Sequence, residues 1–194
     1  GAINPLAGRR RPDCDRMMTK LLPAAIKGTT MLVDIVENCH HLAKFESGTY
    51  EQQRDVVNVR ELAKSCLAMH SRERAAGLSV ELECPDDLVI VSDRRLWQHA
   101  LMNLIGNAVK FTMHEKPAPV GMPCVTVRIT QIDGTQLRVE VTDTGPGIHS
   151  GDQEVVFMKF AQACRGFAAQ GLGSGLGLHL SAQIIRMLRG KLHL

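Results

Sequence analysis

LMNLIGNAVKFT, residues 101–112, combines an apolar helical face with a row of polar side chains. The apolar members follow the i, i+3, i+4, i+7 spacing of a helix and are Leu101, Leu104, Ile105, Ala108 and Val109. At about 100° per residue, Asn103, Asn107 and Lys110 fall within about 60° of one another, so they form one polar stripe. We therefore predict a helix that packs on a core through one side and presents two amides and an ammonium group on another.

The composition of the 194-residue chain limits what the rest of the protein can be. Apolar residues make up 44%, which is enough for a core, and no apolar run reaches about 18 residues, so we expect no membrane segment. A net charge of +3 with one Trp and one Tyr gives no support to nucleic-acid binding. The six scattered cysteines form no C-x-x-C pair, which argues against a zinc site or a disulfide framework and favours a reducing, cytoplasmic compartment. Because the chain lacks an initiator Met and a signal-peptide pattern, we expect a fragment of a longer protein, whose full length is compatible with a membrane anchor.

Hydrophobic periodicity predicts a helical arm followed by a region of mixed helices and strands. Helical spacing occurs in four segments, which are residues 16–46, 57–75, 94–111 and 178–188. Alternating apolar and polar residues predict strands at residues 78–83, 87–92, 124–131 and 136–143, with a further strand beginning at 191. We expect Pro23 and Gly28 to interrupt or kink the first helix, Asp93 to cap the third and Gly190 to end the last. Residues 132–135 have the pattern of a hairpin turn.

Two glycine-containing motifs are candidates for nucleotide binding. In DTGPGI, residues 143–148, the Asp143 carboxylate could accept a hydrogen bond from an exocyclic amine such as that of adenine, while the glycines permit close approach. A surface turn is the alternative. GLGSGLGL, residues 171–178, leads into a helix whose first N–H groups could bind phosphate. It is not a Walker A loop, because no G-K-[ST] follows, and a flexible hinge is the alternative.

The helical stripe adds a candidate metal site to these motifs. Amide oxygens of Asn103 and Asn107 are hard ligands that suit Mg²⁺, and Lys110 could meet a phosphate as a point charge. The alternative is a half-exposed helix face with solvated amides. Taken together, the three signals indicate a carboxylate for a base, an amide pair for a metal and a glycine loop for phosphates.

The motifs LMNLIGNAVKFT, VTDTGPGI, FMKF and GLGSGLGL occur in the order and at about the spacing of the N, G1, F and G2 boxes of sensor histidine kinases. Residues 78–194 thus resemble the ATP-binding region of these kinases, and residues 31–48 resemble the second helix of their dimerisation and phosphoacceptor hairpin. The resemblance implies an α+β fold, a two-layer Bergerat sandwich (residues 77–194) preceded by an incomplete helical dimerisation arm (residues 1–76). It also implies the cofactors ATP and Mg²⁺, a homodimer and a receiver-domain response regulator as partner.

The resemblance further implies a role for each matching residue. Asn107 would coordinate Mg²⁺ with Asn103 beside it, Lys110 would face the phosphates, and Asp143 would bind the adenine amine. Further nucleotide contacts would come from Gly145, Gly147, Ile148, Phe160, Gly173, Gly175, Leu176 and Gly177. Phe157 and Phe160 would anchor an ATP lid, residues 149–172, with Lys159 and Arg165 as its cations.

The phosphoacceptor histidine of these kinases does not appear in the chain. INPLAG, residues 3–8, resembles the end of its box, which places the histidine just ahead of Gly1, whereas His40 and His41 align with the second helix. We therefore expect a histidine kinase catalytic region whose acceptor lies outside the chain. One alternative is an inactive kinase-like scaffold. The other is an ATPase of the same superfamily, which Asn103 disfavours because an amide cannot act as the general base that activates water.

Overall fold

The computed structural model describes residues 12–114, 121–161 and 174–194. Its helices are α1 (Pro12–Glu46), α2 (Val59–Ala68), α3 (Ser71–Ala75), α4 (Arg94–His114) and α5 (Gly177–Met187). Its strands are β1 (Asp55–Asn58), β2 (Ser79–Glu83), β3 (Val89–Ser92), β4 (Cys124–Ile132) and β5 (Gln136–Asp143). Two 3₁₀ turns, Ser150–Asp152 and Val155–Phe157, precede α5. The expected α+β sandwich is confirmed.

The larger sheet is formed by three strands in the order β2-β4-β5, with β2 parallel and β5 antiparallel to β4. Alternation along β4 buries Val125, Val127 and Ile129 against the helices. The predicted hairpin between β4 and β5 is confirmed, because Asp133 and Gly134 take consecutive positive φ values of 54° and 71°. The buried side chains of β4 pack in one core cluster with those of α4, the helix that carries the polar stripe.

The smaller sheet shows that residues 55–68 pack with the sandwich. β1 is antiparallel to β3, with Val57 opposite Ile90. Asn58 then caps α2, since its Oδ1 accepts from the Glu61 N–H at 2.9 Å, and Leu62 packs in the same buried cluster as Ile105 of α4. The helix predicted to start at residue 57 therefore starts two residues later, at Val59. Because β1 already belongs with the sandwich, we propose that the boundary between the arm and the sandwich lies near residue 54 instead of residue 76.

The arm is a single helix, α1, in the part of the chain that the structure describes. The helix is not interrupted at Pro23 or Gly28, because one missing N–H donor leaves the turns on either side intact and α1 continues for 35 residues. Only its C-terminal end docks, where Leu42 is buried against Leu96, Leu180 and neighbouring side chains. Further towards its start, α1 exposes Met18, Leu21, Leu22, Ile26, Leu32, Val33 and Val36. No helix of the described residues is both long enough and apolar enough to cross a bilayer.

The ends of α4 and α5 differ in how well they were predicted. Asp93 caps α4 as expected, since its Oδ1 accepts from the N–H groups of Arg95 and Leu96 at 2.9 and 3.1 Å. In α5 the left-handed residue after the helix is Arg189, with φ 60°, and not the predicted Gly190. Residues 191–194 form no strand, because no neighbouring strand of the described chain pairs with them.

A histidine pair lies at the seam between α1 and α4. The rings of His41 and His99 meet edge to face, with centroids 4.3 Å apart. Burial lowers the pKa of both, and repulsion from His99, His40 and Lys44 lowers that of His41 further, against an opposing attraction from Glu37. Folding therefore disfavours the protonated form of both rings.

We expect the free energy of unfolding to fall as pH falls through about 6.5, where unfolded histidine takes up its proton. Below that value the unfolded chain binds more protons than the folded one, so protonation favours unfolding. Urea unfolding at about pH 5.5 and about pH 7.5 tests this. His99→Asn should reduce the pH dependence, while the exposed His193→Asn should leave it unchanged; equal pH dependence in all three proteins would contradict the assignment.

Candidate functional site

A cleft of about 1600 Å³ lies between α4, the end of β5, residues 146–161 and the start of α5. It brings together most of the residues predicted for the nucleotide site, which are Asn103, Asn107, Lys110, Asp143, Gly147, Ile148, Gly175 and Gly177. Side chains of α1 complete its rim, with Asp34 and Glu37 on the side of the polar stripe. The cleft is therefore built from both the arm and the sandwich.

The polar stripe of α4 faces this cleft as the sequence predicts. Ile105 and Val109 are buried on the opposite side, while Asn103 and Asn107 are half-buried. The Nδ2 of Asn103 has no hydrogen-bond partner among the described residues, although it is inaccessible to solvent. A buried amide without a partner costs free energy, so this position favours a ligand or ordered water that bonds to it.

Gly177 leaves the space in front of these amides open. A Cβ added at Gly177 would lie 3.5 Å from the Oδ1 of Asn103 and 4.0 Å from the Nδ2 of Asn107. The first N–H groups of α5 thus start beside the amide pair, where a helix N-terminus attracts anions. The described residues contain no group of three or more His, Cys, Asp or Glu that could hold a metal, so a cation here depends on amide oxygens and on the ligand itself.

Lys110 brings positive charge to the same end of the cleft. Its Nζ lies 5.0 Å from the centre of the Phe111 ring. Burial raises the pKa of Asp34 on α1, and Glu37 raises it further, whereas Lys110 opposes both effects. Lys110 is therefore close enough to α1 to interact electrostatically with the Asp34 carboxylate. An anionic ligand would have to compete with that carboxylate for Lys110.

The DTGPG turn holds Asp143 at the other end of the cleft. Asp143 is exposed at the last position of β5, and its Oδ1 accepts from the Gly145 N–H at 2.8 Å. A Cβ at Gly145 would lie 2.8 Å from that oxygen and 3.2 Å from the Phe111 carbonyl carbon, so a larger residue would displace the carboxylate. Gly147 has φ 70°, which a side chain would strain. The turn therefore orients a hydrogen-bond acceptor towards the cleft.

The G2 motif is only partly described, since Gly173 lies outside the described residues, as do Arg165 and residues 162–172 of the expected lid. Gly175 has φ 69°, and a Cβ there would lie 2.7 Å from the Ala161 carbonyl oxygen and 2.8 Å from the Phe160 carbonyl carbon. Two backbone segments thus cross at Gly175, and only glycine fits between them. Leu176 is fully buried, so its side chain belongs to the core and only its main chain remains for a nucleotide. Phe160 is 65% exposed and does not line the cleft.

Two features of the site could not be derived from the sequence motifs alone. The first is the acidic rim from α1, because nothing in the spacing of Asp34 and Glu37 shows that the arm folds over the cleft. The second is His179, whose Nδ1 lies 2.8 Å from the Phe157 carbonyl oxygen and joins α5 to the segment before it. A histidine directly after the glycine motif was the available clue, but its partner depends on the tertiary fold.

The geometry agrees with comparisons with known proteins. The profile of the histidine kinase-, DNA gyrase B- and HSP90-like ATPases matches residues 92–194, which is more than half of the chain. The chain belongs to this family. Among its relatives, the sensor protein EvgS of Escherichia coli O157:H7 is 29% identical over 170 residues, which cover 84% of this chain and 13% of EvgS. The chain therefore spans a small part of the length of such a relative and corresponds to the ATP-binding region of sensor histidine kinases.

Solved structures support the fold of this ATPase-family chain. The histidine kinase AdeS of Acinetobacter baumannii superposes with a TM-score of 0.68 at 21% identity, covering 88% of this chain and 75% of that one. Full-length ShkA, determined in complex with AMPPNP, gives a TM-score of 0.67 at 24% identity, covering 87% of this chain and 33% of that one. At these identities the superpositions establish the fold alone.

Gly106 offers a test of how much a glycine beside the polar stripe costs the stability of α4. A Cβ added there meets no atom within 4 Å, so Gly106→Ala should raise the free energy of unfolding by about 1 kcal/mol through helix propensity. Urea unfolding measures this gain, with Gly28→Ala of α1 as a second open position. A loss of stability would mean that the glycine relieves strain in α4.

Proposed function

We propose that this chain binds Mg-ATP in the cleft and, within a longer sensor histidine kinase, directs the γ-phosphoryl group to a histidine. The observation that carries the proposal is the unpartnered Asn103 amide beside Asn107, facing the open start of α5 at Gly177. Membership of the ATPase family and the sensor-protein relatives support it. The acceptor histidine lies outside the residues that the structure describes.

The residues of the cleft fit the parts of Mg-ATP. Asp143 would accept from the adenine amine, Asn107 and Asn103 would hold Mg²⁺, and Lys110 would meet a phosphate. The N–H groups at Gly175 and Gly177 would bind phosphate oxygens at the start of α5. When bound, Mg²⁺ would neutralise charge on the phosphates.

Asn103 also determines which reaction this site favours. An amide cannot remove a proton from water, so the site lacks a general base at that position. The chain would then act mainly by positioning ATP for a nucleophile that arrives from elsewhere. Steady release of phosphate by the isolated chain would contradict this part of the proposal.

Calorimetric titration with ATP, with and without Mg²⁺, tests the binding site. We expect Mg²⁺ to strengthen binding to the original chain, and Asn107→Ala to remove most of that gain. Gln98→Ala, which removes an exposed amide from the same helix outside the cleft, is the matched control. No binding by the original chain would refute the proposal and favour an inactive scaffold. If the original chain binds Mg-ATP, a longer chain with an upstream histidine should form an acid-labile phosphate.

We further propose that α1 mediates a homodimer and that a receiver-domain response regulator is the later phosphoryl acceptor in the cytoplasm. The exposed apolar row on α1, which includes Leu21, Leu22 and Ile26, supports the first part, and sensor-protein relatives support the second. Light scattering of the original chain and of Leu22→Lys tests the dimer. A monomeric mass for both at about 100 μM would contradict it, because a specific dimer interface normally associates well below that concentration.

A further inference from the structure

His179 joins two walls of the cleft through one hydrogen bond. It lies in the first turn of α5, and its Nδ1 is 2.8 Å from the carbonyl oxygen of Phe157. A carbonyl oxygen can only accept, so Nδ1–H is the donor in this bond. The other ring nitrogen, Nε2, is inaccessible to solvent and has no partner among the described residues. This hydrogen bond thus holds the ring in one orientation, with Nδ1 facing Phe157.

We propose that His179 is a positioning residue of the nucleotide site, which fixes the spacing between residues 157–161 and the start of α5. The inference rests on the proposed function, because it concerns the affinity of that site for the phosphate part of ATP. His179 does not line the cleft itself and acts through the backbone it holds.

The backbone held by His179 reaches the phosphate end of the cleft within a few residues. Phe157 and Ala161 both line the cleft, and the Phe160–Ala161 backbone touches Gly175 so closely that a Cβ there would lie 2.7 Å from the Ala161 oxygen. Gly177 follows and faces the amides of the α4 stripe. The Phe160–Ala161 backbone is in contact with Gly175. A shift of Phe157 would therefore displace Gly175 and, with it, the N–H groups at the start of α5.

The same backbone is tied on its outer side to the end of the arm. The Nζ of Lys159 pairs with the carboxylate of Glu46, the last residue of α1, and this contact holds the pKa of Glu46 below its usual value. Residues 157–161 thus have one polar anchor on α5 and another on α1. The anchor on α5 is half-buried and the pair with the arm is exposed, so His179 supplies the firmer of the two.

His179→Leu keeps the size of the side chain approximately but leaves the Phe157 carbonyl without its donor. We expect it to weaken Mg-ATP binding about tenfold, since a lost buried hydrogen bond typically has that effect on an equilibrium. Binding of adenosine, which lacks phosphates, should change less than twofold. His179→Asn should restore most of the ATP affinity, because its amide N–H can occupy the place of Nδ1–H.

Calorimetry with Mg-ATP and with adenosine on these variants decides between positioning and simple destabilisation. His70→Leu, a histidine replacement between α2 and α3 away from the cleft, is the matched control. Unchanged ATP affinity in His179→Leu, or an equal loss for ATP and adenosine, would overturn the inference while leaving the proposed function in place. Failure of the original chain to bind ATP would overturn the proposed function and this inference with it.

Discussion

Asp143→Ala should weaken ATP binding by about 2 kcal/mol or more, which is about thirtyfold. A carboxylate that accepts from the adenine amine makes a charge-assisted hydrogen bond, and its removal leaves the amine unpaired in the cleft. The substitution also removes the acceptor for the Gly145 N–H, so the turn loses its internal bond. Calorimetric titration with ATP measures the loss.

Asp143→Asn separates the two effects of that substitution. Its amide oxygen can still accept from Gly145, while the negative charge is gone, so the turn should persist and ATP affinity should still fall. The preference for ATP over GTP should also decrease, since GTP presents a carbonyl where ATP presents its amine. Glu81→Ala, an exposed carboxylate on β2 outside the cleft, is the control. Full ATP affinity in Asp143→Ala would mean that the adenine ring of ATP binds somewhere other than at Asp143.

Asp93→Ala should lower the free energy of unfolding by about 3–4 kcal/mol, the largest stability effect that we expect from a polar residue. The Asp93 carboxylate is only 2% exposed. One oxygen caps α4, and the other accepts from the Tyr50 hydroxyl at 3.1 Å and from the Gln53 N–H at 2.9 Å. Its loss leaves four donors without their acceptor, in a place where water reaches poorly. Urea unfolding measures the change.

Asp55→Ala is the control for Asp93→Ala. Asp55 also faces the start of α4, but its carboxylate accepts from the Arg94 N–H at a longer 3.3 Å. This substitution should therefore lower the free energy of unfolding by less than about 1 kcal/mol.

Tyr50 provides a spectroscopic check, since it is the single tyrosine of the chain. Burial and then the Asp93 carboxylate raise the pKa of Tyr50 to about 12. Absorbance titration of Asp93→Asn should show phenolate at lower pH than the original chain. Equal losses of stability in Asp55→Ala and Asp93→Ala would contradict the importance given to the buried acceptor.

Local sequence patterns were sufficient to predict the strands β2 to β5 of the sandwich and the start of its helix α4. Alternation located β2 to β5 within about two residues, the Asp-Gly pair located their hairpin, and Asp93 located the start of α4. The stripe of Asn103, Asn107 and Lys110 was predictable because a helix fixes which residues share a face. The motifs and the stripe meet in one cleft.

Features that depend on distant contacts were not predictable in the same way. Val57 and Asn58 lie in a strand because β3 offers them hydrogen-bond partners, and that pairing is absent from any local pattern. Leu176 fits the glycine motif by its position, yet its side chain enters the core between α4 and α5. His179 depends in the same way on the fold that brings the Phe157 carbonyl to it.

The length of α1 gives its small docking surface a mechanical consequence. At about 1.5 Å per residue, 35 residues extend roughly 52 Å, while the buried contact lies near Leu42 at one end. A tilt of about 5° around that contact would move the far end by about 4 Å, whereas Glu46 would move by less than about 1 Å. The helix is therefore a lever with unequal arms about Leu42, which reduces a large displacement at Pro12 to a sub-ångström one at Glu46, beside Lys159.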